Sequence, residues 1–204
     1  MEIILIRHGK SSHTDTMGMT CSQFSKWIND YDAAGITKEL SIPQQTKKKA
    51  QEAKLIVTSN LKRSIQSAQR LNIHAPIVSD SLFREAEMPV AALSFFPMKA
   101  PPSFWAFFYR CAWLAGYKGN KESMKEAQQR AVKASEQLIH LAAQYDQVLV
   151  AGHGIFNRMI ARELKRAGWS GAKKTSRKHW DCTIYTLRGK GEVEDDKVSG
   201  AAIK

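Results

Sequence analysis

The sequence predicts an α/β protein, namely a three-layer α/β/α sandwich with a mostly parallel sheet and an aromatic-rich helical lid insertion. The first observation is a set of short aliphatic runs, at residues 3–6, 55–57 and 148–150, that are typical of strands buried on both faces. The second is that segments with helical periodicity separate these runs, which favours a parallel sheet covered by helices on both faces. The third is a stretch rich in proline and aromatic residues, 88–119, that interrupts the alternation.

The size and composition of the chain are those of an ordinary globular protein. It has 204 residues, of which 43% are hydrophobic and 25% are charged, so we expect one domain spanning residues 1–204. Cys21, Cys111 and Cys182 are odd in number and widely separated, which argues against both a disulfide framework and a zinc site. No basic segment followed by an apolar stretch lies at the N-terminus, and we therefore expect a cytoplasmic location.

The formal net charge is +12, and much of it is concentrated near the C-terminus. Ten Lys and Arg residues lie between Arg158 and Lys190, against Glu163 and Asp181 as the acids of the same stretch. Such a cluster attracts nucleic acid, an anionic membrane or an acidic substrate, but it also fits a solvated basic face. The charge by itself does not choose between these interpretations.

The first eighty residues predict alternating strands and helices. Helix 21–33 has apolar residues at helical spacing, Pro43 precedes helix 44–53, and Ser59 or Asn60 is a natural N-cap for helix 61–71. Two strands are predicted at 54–58 and 76–79, in addition to the strand at 3–6.

The middle of the chain differs in kind from the rest. Four prolines lie between Met88 and Gly119, together with nine of the eighteen Phe, Trp and Tyr residues of the chain. Lys99, Arg110 and the prolines interrupt every window long enough to cross a membrane, so we expect no membrane span. We interpret residues 86–120 as an insertion with one short aromatic helix that lies over the strand ends as a lid. The alternative is that these aromatic side chains simply pack on the core.

The remaining residues return to the alternating pattern. We expect a long amphipathic helix over 121–143, a strand over 147–151, a helix over 155–167 and an edge strand over 182–187. The tail 189–204 is polar, small and charged, which predicts flexibility.

Two of the predicted strands end in a His-Gly pair. Arg7-His8-Gly9 follows the first strand, and Gly152-His153-Gly154 follows a later one. In an open α/β sheet, ligands bind at the carboxyl ends of the strands, so both pairs lie where chemistry is expected. One such histidine is more often structural, but two of them on strands that can lie side by side indicate a site.

These residues and two further blocks resemble the signature of the histidine phosphatase superfamily, which has the phosphoglycerate mutase-like fold. Arg7-His8-Gly9 resembles the RHG motif of the family, and His153-Gly154 with Arg158 resembles its HGxxxR block. The run 59–63, Ser-Asn-Leu-Lys-Arg, and the run 82–85, Leu-Phe-Arg-Glu, resemble the blocks that lie between them, in the same order.

The resemblance implies a phosphoryl-transfer site whose chemistry these side chains suit. Arg7 and Arg63 would clamp the phosphoryl oxygens, and neutral His8 would attack phosphorus to form a phosphohistidine. His153 would stabilise the developing charge, and Glu85 would protonate the leaving oxygen and then activate water. Backbone N–H groups at the next helix, beginning with Gly154, would help to hold the anion, and Ser11 is expected to contact the substrate.

Some assignments stay open. The acid is Glu85 or Glu87, because Ala86-Glu87-Met88-Pro89 stands where the family often continues with an aromatic residue and a glycine. Lys10 and His13 are possible substrate contacts, like Ser11, by their nearness in sequence. His179 lies in the basic stretch, where we expect a structural or surface role, and no role is assigned to His74 or His140.

We therefore expect a metal-independent phosphohydrolase of the histidine acid phosphatase type, with no cofactor and no metal site, that hydrolyses a small-molecule phosphomonoester. The aromatic lid carries few charges, which favours a phosphatase over a phosphoglycerate mutase and a substrate with an apolar or aromatic moiety. A protein phosphohistidine phosphatase is a further alternative, as is a non-catalytic module that binds phosphate or polyanions. Nucleic acid is a less favoured partner, and the sequence predicts no oligomeric state.

Overall fold

The computed structural model describes residues 1–38, 41–71, 74–90 and 98–187, and these residues form one six-stranded sheet with helices on both faces. The strands are β1 Glu2–Arg7, β2 Leu55–Thr58, β3 Ile77–Ser79, β4 Gln147–Gly152, β5 Ser170–Gly171 and β6 Cys182–Thr186. The helices are α1 Cys21–Ala33, α2 Gln44–Glu52, α3 Lys62–Arg70, α4 Pro102–Leu114, α5 Met124–Tyr145 and α6 Gly154–Arg166, with a 3₁₀ turn at Ser81–Phe83.

The sheet is mixed but mostly parallel, in the order β3-β2-β4-β1-β6-β5. Strands β1 to β4 pair in parallel, whereas β6 is antiparallel to both β1 and β5. Because β1, β4 and β2 pair in parallel, their carboxyl ends lie at the same end of the sheet. An open α/β sheet binds ligands at this end.

Alternate residues of the central strands enter two separate cores. Ile3, Leu5 and Val150 face one core with α5 and α6, while Ile4 and Leu149 face a second core with residues of α2 and α3. The two-residue repeat of a strand therefore supplies an apolar side chain to both faces, as the uninterrupted aliphatic runs require. The predicted three-layer sandwich is confirmed.

Helices α5 and α1 begin where the sequence provides capping residues. Ser123 and Glu126 form a reciprocal capping box at the start of α5, and Thr20 and Gln23 form another at the start of α1. Helix α3 differs from the expectation, because its N-cap is Leu61 and no side chain caps it. The Ser59 hydroxyl accepts a 3.3 Å bond from the Leu61 N–H.

The predicted edge position of the last strand is wrong. Strand β6 pairs with β1 on one side and with the short strand β5 on the other, so β5 forms the edge. The sequence gives little sign of a two-residue strand. Gly171 permits the pairing, since a Cβ built on it would lie 2.5 Å from the Tyr185 ring and 2.7 Å from the Ile184 carbonyl oxygen.

The aromatic insertion contains one helix, α4. Trp105, Tyr109 and Trp113 on one side of α4 are buried, and Trp105 and Tyr109 share an aromatic cluster with Phe24 of α1. This side therefore packs on the body of the protein, as the alternative interpretation expected, while the other side is exposed. Residues 91–97 of the insertion and the predicted tail 189–204 lie outside the described residues. Among the described helices, none has a stretch long and apolar enough to cross a membrane.

Candidate active site

Neighbouring strands β1 and β4 bring His8 and His153 together. Arg7, the last residue of β1, is in register with Gly152, the last residue of β4, and the His8 N–H donates to the Gly152 carbonyl at 2.9 Å. His8 and His153 come next in the chain, so both lie at the carboxyl ends of these strands. Their ring centroids are 5.1 Å apart, and both side chains are buried. The geometry thus unites two imidazoles that are 145 positions apart in the chain.

A backbone contact fixes the orientation of the His8 ring. Its Nδ1 lies 2.7 Å from the Gly9 carbonyl oxygen, which can only accept, so Nδ1 carries the proton of this bond. The neutral ring then keeps its lone pair on Nε2. Gly9 itself is held by its N–H, which donates to the Ser67 hydroxyl at 2.9 Å.

His153 is oriented by a side chain from the loop after β2. The Ser59 Oγ and the His153 Nε2 are 2.7 Å apart and share a hydrogen bond. The other ring nitrogen, Nδ1, is buried and has no hydrogen-bond partner among the described residues. A buried polar atom without a partner is unusual in a folded protein and is often found at a functional site.

The two predicted guanidinium groups also lie in this region and are partly free. Arg7 donates through Nη1 to the Arg177 carbonyl, and Arg63 donates through Nη1 to the Tyr31 carbonyl at 3.2 Å. The Nε atoms of Arg7 and Arg63 are buried without a partner among the described residues. Arg63 Nη2 is 3.0 Å from the partly exposed Asp32 carboxylate, so an acid of α1 neutralises this guanidinium.

The predicted acid Glu85 lies at the N-terminus of α6. Its carboxylate accepts hydrogen bonds from the N–H groups of Ile155 at 3.1 Å and Phe156 at 2.8 Å. Because His153, the N-cap of α6, forms no side-chain cap, Glu85 supplies the capping oxygens and a charge that suits the helix dipole. Glu87 is exposed and accepts a long 3.4 Å bond from the Glu122 N–H.

Gly154 is the first residue of α6 and lies against Arg7. A Cβ built on Gly154 would be 3.5 Å from the Arg7 Nε, an ordinary contact distance. The helix N-terminus and a guanidinium therefore adjoin each other, and both attract anions.

The burial of the histidines affects their protonation. Burial, and next the positive charge of Arg63, lower the pKa of His8 well below its usual value of 6.5. Burial lowers the pKa of His153 in the same direction, followed by the charges of His8 and Arg63. Both rings are therefore neutral in the ligand-free protein at neutral pH, and a neutral His8 is competent as a nucleophile.

Two cavities lie beside residues that adjoin His8, namely Arg63 for one cavity and His179 for the other, and Tyr31 lines both cavities. The inner cavity has a volume of about 150 Å³ and is lined by Arg63, Glu85, Glu87 and, from the insertion, Arg110. Arg110 donates to the Ala86 carbonyl at 3.1 Å, and its buried Nη1 has no partner among the described residues.

The outer cavity has a volume of about 420 Å³ and includes the residues near the motif that the sequence left open. Lys10, Ser11 and His13 line it, and the buried Ser11 hydroxyl accepts a 3.1 Å bond from the His13 N–H. His179 lines it as well: its Nδ1 donates to the His8 carbonyl at 2.8 Å, and its ring centroid is 5.4 Å from that of His8.

Several lining residues were not expected from the sequence. Asp32 and Tyr31 looked like ordinary helix residues, and only the packing of α1 near α3 places them beside Arg63. Arg110 carried one usable signal, because it is the single charged residue in the thirteen residues of α4. His179 was expected to have a structural or surface role, but it lies next to His8. The described residues contain no group of three or more His, Cys, Asp or Glu side chains that could hold a metal ion.

Comparison with known proteins assigns the chain to a family. The family model of the histidine phosphatase superfamily (branch 1) matches residues 3–195. The chain therefore belongs to the histidine phosphatase superfamily. A comparison with curated proteins gave no match.

Solved structures share the fold at low sequence identity. The product of an open reading frame of Mycobacterium tuberculosis is 13% identical, with a TM-score of 0.55 over 93% of this chain and 92% of its own. A phosphoserine phosphatase from Entamoeba histolytica, in complex with 3-phosphoglyceric acid, is 16% identical, with a TM-score of 0.52 over 90% of this chain and 89% of its own. A mycobacterial glucosyl-3-phosphoglycerate phosphatase is 16% identical, with a TM-score of 0.50 over 90% of each chain.

Proposed function

We propose that the protein is a phosphatase that hydrolyses phosphomonoesters through a phosphohistidine intermediate on His8. The observation that carries the proposal is the pair of buried imidazoles, with ring centroids 5.1 Å apart, at the carboxyl ends of β1 and β4. The positive charges of Arg7 and Arg63 lie close to them. His153, Arg7 and Arg63 each have a buried nitrogen that lacks a hydrogen-bond partner among the described residues, which suits an anion site, since a phosphoryl group supplies acceptors. Family membership and the similarity to structures named as phosphatases support the same conclusion.

The proposed reaction has two steps. The Nε2 of neutral His8 attacks phosphorus, and a P–N bond forms as the bond to the leaving oxygen breaks, with Glu85 donating a proton to that oxygen. Water then attacks phosphorus, Glu85 accepts its proton, and the P–N bond breaks to release phosphate. Arg7, Arg63 and His153 stabilise the charge on the remaining phosphoryl oxygens in both steps. We expect activity without added metal, because the guanidinium groups of Arg7 and Arg63 fulfil the electrostatic role that a metal has in other phosphatases.

The test is hydrolysis of a panel of phosphomonoesters by the wild type and by His8→Ala. We expect the variant to be inactive, and we expect an acid-labile phosphoryl group to appear on the wild type after rapid quenching but not on the variant. A variant that retains turnover, or a wild type that hydrolyses no monoester in the panel, would contradict the proposal. Steep salt-dependent binding of RNA or polyphosphate by a protein that never becomes phosphorylated would favour a binding module instead.

We further propose that the leaving group has an apolar or aromatic moiety that lies in the outer cavity. Trp27, Tyr31, Pro101 and Pro102 form its apolar wall, and His179 places it next to His8. Aromatic walls favour flat apolar groups. We expect kcat/KM for aryl phosphates to exceed that for methyl phosphate by more than their difference in leaving-group reactivity, and we expect Trp27→Leu to reduce this excess.

A phosphoglycerate mutase is the second candidate, and the inner cavity provides the observation that favours it. Arg84, Arg110 and Lys121 line this cavity in addition to Arg63, so a second anionic group of a substrate could be held there. Asp32 and Glu87 offset part of this charge. A coupled assay that follows the interconversion of phosphoglycerates decides between the two: interconversion faster than hydrolysis of any monoester would replace the phosphatase proposal.

A further inference from the structure

Helix α4 has an apolar surface on the side that faces away from the protein. Phe104, Phe107, Phe108, Cys111 and Leu114 recur every three or four residues, which places them on one side, and all five are exposed. We call this side the α4 face. Phe107 is 71% exposed and Leu114 is 55% exposed. The opposite side of α4 carries the buried Trp105, Tyr109 and Trp113, so α4 has large apolar side chains on two opposite sides, which in a globular protein is typical of a helix covered on both.

Exposed large apolar side chains are concentrated in and around α4 in the sequence. Among the described residues, seven of the twelve large apolar side chains that are exposed lie at position 17 or within 98–117. Single exposed apolar residues need no explanation, but a contiguous patch marks a surface that another partner covers.

A strongly cationic groove lies along α6, with a volume of about 660 Å³. We call it the α6 groove. Seven of its nine lining residues are Lys or Arg, among them Arg158, Lys173 and Lys174, and none is acidic. In the part of the chain that the structure describes, Arg166 is the one of these cations with a carboxylate partner, Glu163.

The α4 face and the α6 groove adjoin each other. A third cavity, of about 250 Å³, is lined by Leu114 of α4 and by Arg158 and Arg162 of α6. Both arginines also line the α6 groove, so a continuous surface leads from exposed Phe and Leu side chains to a row of cations.

We propose that the α4 face and the α6 groove together form a docking surface for an anionic lipid bilayer. The thirteen residues of α4 are too few to cross a bilayer, but they suit a helix that lies in the interface with Phe and Leu side chains among the acyl chains. The lysines and arginines of the α6 groove then bind headgroup phosphates, and the net charge of +12 draws the protein to the surface.

Other occupants explain only part of this surface. A second copy of the chain would cover the α4 face but would bring two cationic grooves close together, which like charges disfavour. RNA would neutralise the α6 groove, but the groove has no aromatic side chain on which bases could stack, and the α4 face would stay exposed. An anionic bilayer is complementary to both parts.

The docking surface adjoins the mouth of the candidate site. Pro101, Pro102, Ser103 and Ala106, at the start of α4, line the outer cavity next to His179. Docking through the α4 face would therefore bring the outer cavity near the lipid headgroups. The inference does not depend on the proposed phosphatase activity, because it concerns binding to a surface and not turnover.

The experiment is cosedimentation of the full chain with vesicles of phosphatidylcholine mixed with phosphatidylglycerol, and with vesicles of phosphatidylcholine alone. We expect the wild type to bind the anionic vesicles, and to bind them less as salt is added. The double variant Phe107→Ser, Leu114→Ser should bind the anionic vesicles at least about tenfold more weakly, since each substitution removes a large apolar side chain from the interface. The control Val132→Ser, Tyr145→Ser changes two exposed apolar residues of α5 and should bind like the wild type.

Charge reversal separates the α6 groove from bulk charge. Lys173→Glu, Lys174→Glu should weaken binding by about tenfold or more. Lys47→Glu, Lys48→Glu changes the net charge equally at two exposed residues of α2 and should have a clearly smaller effect. Urea unfolding confirms that each variant is folded.

Four results would overturn the proposal. The first is a wild type that binds neither kind of vesicle, and the second is an equal loss of vesicle binding in the two lysine double variants. The third is vesicle binding that is retained in Phe107→Ser, Leu114→Ser. The fourth is that this variant loses only self-association, measured by sedimentation velocity. Binding of RNA in place of the anionic vesicles also counts against it. His8→Ala should bind vesicles like the wild type, so failure of this inference and failure of the phosphatase proposal are distinguishable.

Discussion

Replacing Glu85 by Gln tests two roles of one carboxylate, as the cap of α6 and as the proposed proton donor. The carboxylate accepts N–H bonds from Ile155 at 3.1 Å and from Phe156 at 2.8 Å. A glutamine of the same shape keeps one acceptor oxygen, but its amide NH2 group then faces the second N–H. The substitution thus removes one charge-assisted bond and the favourable interaction with the helix dipole.

The magnitude follows from these two losses. A hydrogen bond to a charged group contributes about 1.5–3 kcal/mol, and a charge at a helix N-terminus contributes about 0.3–1 kcal/mol. Because Glu85 is only partly buried, water can replace part of the lost bond, and we take the lower end of both ranges. The free energy of unfolding of Glu85→Gln should therefore fall by about 2 kcal/mol, measured by urea denaturation.

The effect on activity should depend on the leaving group. An alkyl phosphate needs a proton on its leaving oxygen, so kcat/KM for it should fall by about 10²–10⁴-fold. 2,4-Dinitrophenyl phosphate leaves as a stable phenolate and needs no proton, so the formation of the phosphohistidine from it, followed in a single turnover, should change little. Stopped-flow absorbance for the aryl substrate and phosphate release for the alkyl substrate measure the two effects.

Glu87→Gln is the matched control, because Glu87 lies two positions away in the same cavity and its carboxylate accepts a hydrogen bond of 3.4 Å from the Glu122 N–H. We expect the free energy of unfolding of Glu87→Gln to differ from that of the wild type by no more than about 0.5 kcal/mol, and we expect the activity of this variant to equal that of the wild type. An equal loss on both substrates in Glu85→Gln would refute the proton-donor role. A leaving-group-dependent loss in Glu87→Gln instead would reassign the acid, and unchanged stability in Glu85→Gln would refute the capping argument.

Two further predictions concern the charge of the site. Asp32→Asn removes the carboxylate 3.0 Å from Arg63 and should strengthen inhibition by inorganic phosphate by up to about fivefold, because a partly exposed ion pair contributes about 1 kcal/mol or less. The same inhibition assay on Asp30→Asn, an exposed acid of the same helix, should match the wild type, and equal inhibition of all three proteins would contradict the role of Asp32. The lowered pKa of His8 and of His153 predicts that stability falls with pH below the usual histidine value of 6.5, because the unfolded chain then binds protons that the folded one does not. Urea unfolding from about pH 6.5 to pH 5.5 should show a slope approaching ~1.4 kcal/mol per pH unit for each histidine, and His8→Asn should lose one such contribution; a flat wild-type profile would refute it.

The sheet could be predicted from the sequence, because burial on both faces requires uninterrupted aliphatic runs. The aliphatic runs of β1, β2 and β4 fit no other element, since each is too short for a helix and too apolar for a loop. That β6 is not the edge strand could not be predicted in the same way. It depends on pairing with the two-residue strand Ser170–Gly171, which is too short to leave a pattern in the sequence.

The candidate site divides along the same line. The sequence by itself determined that His8 and His153 follow buried strands, and parallel pairing of β1 with β4 was enough to bring them together. Only the tertiary structure decided that Asp32 neutralises Arg63 and that Arg110 turns into the inner cavity. The physical reason is that a strand end is fixed by local chain direction and sheet pairing, whereas the partner of a long side chain depends on how separate helices pack, and no local pattern records that packing.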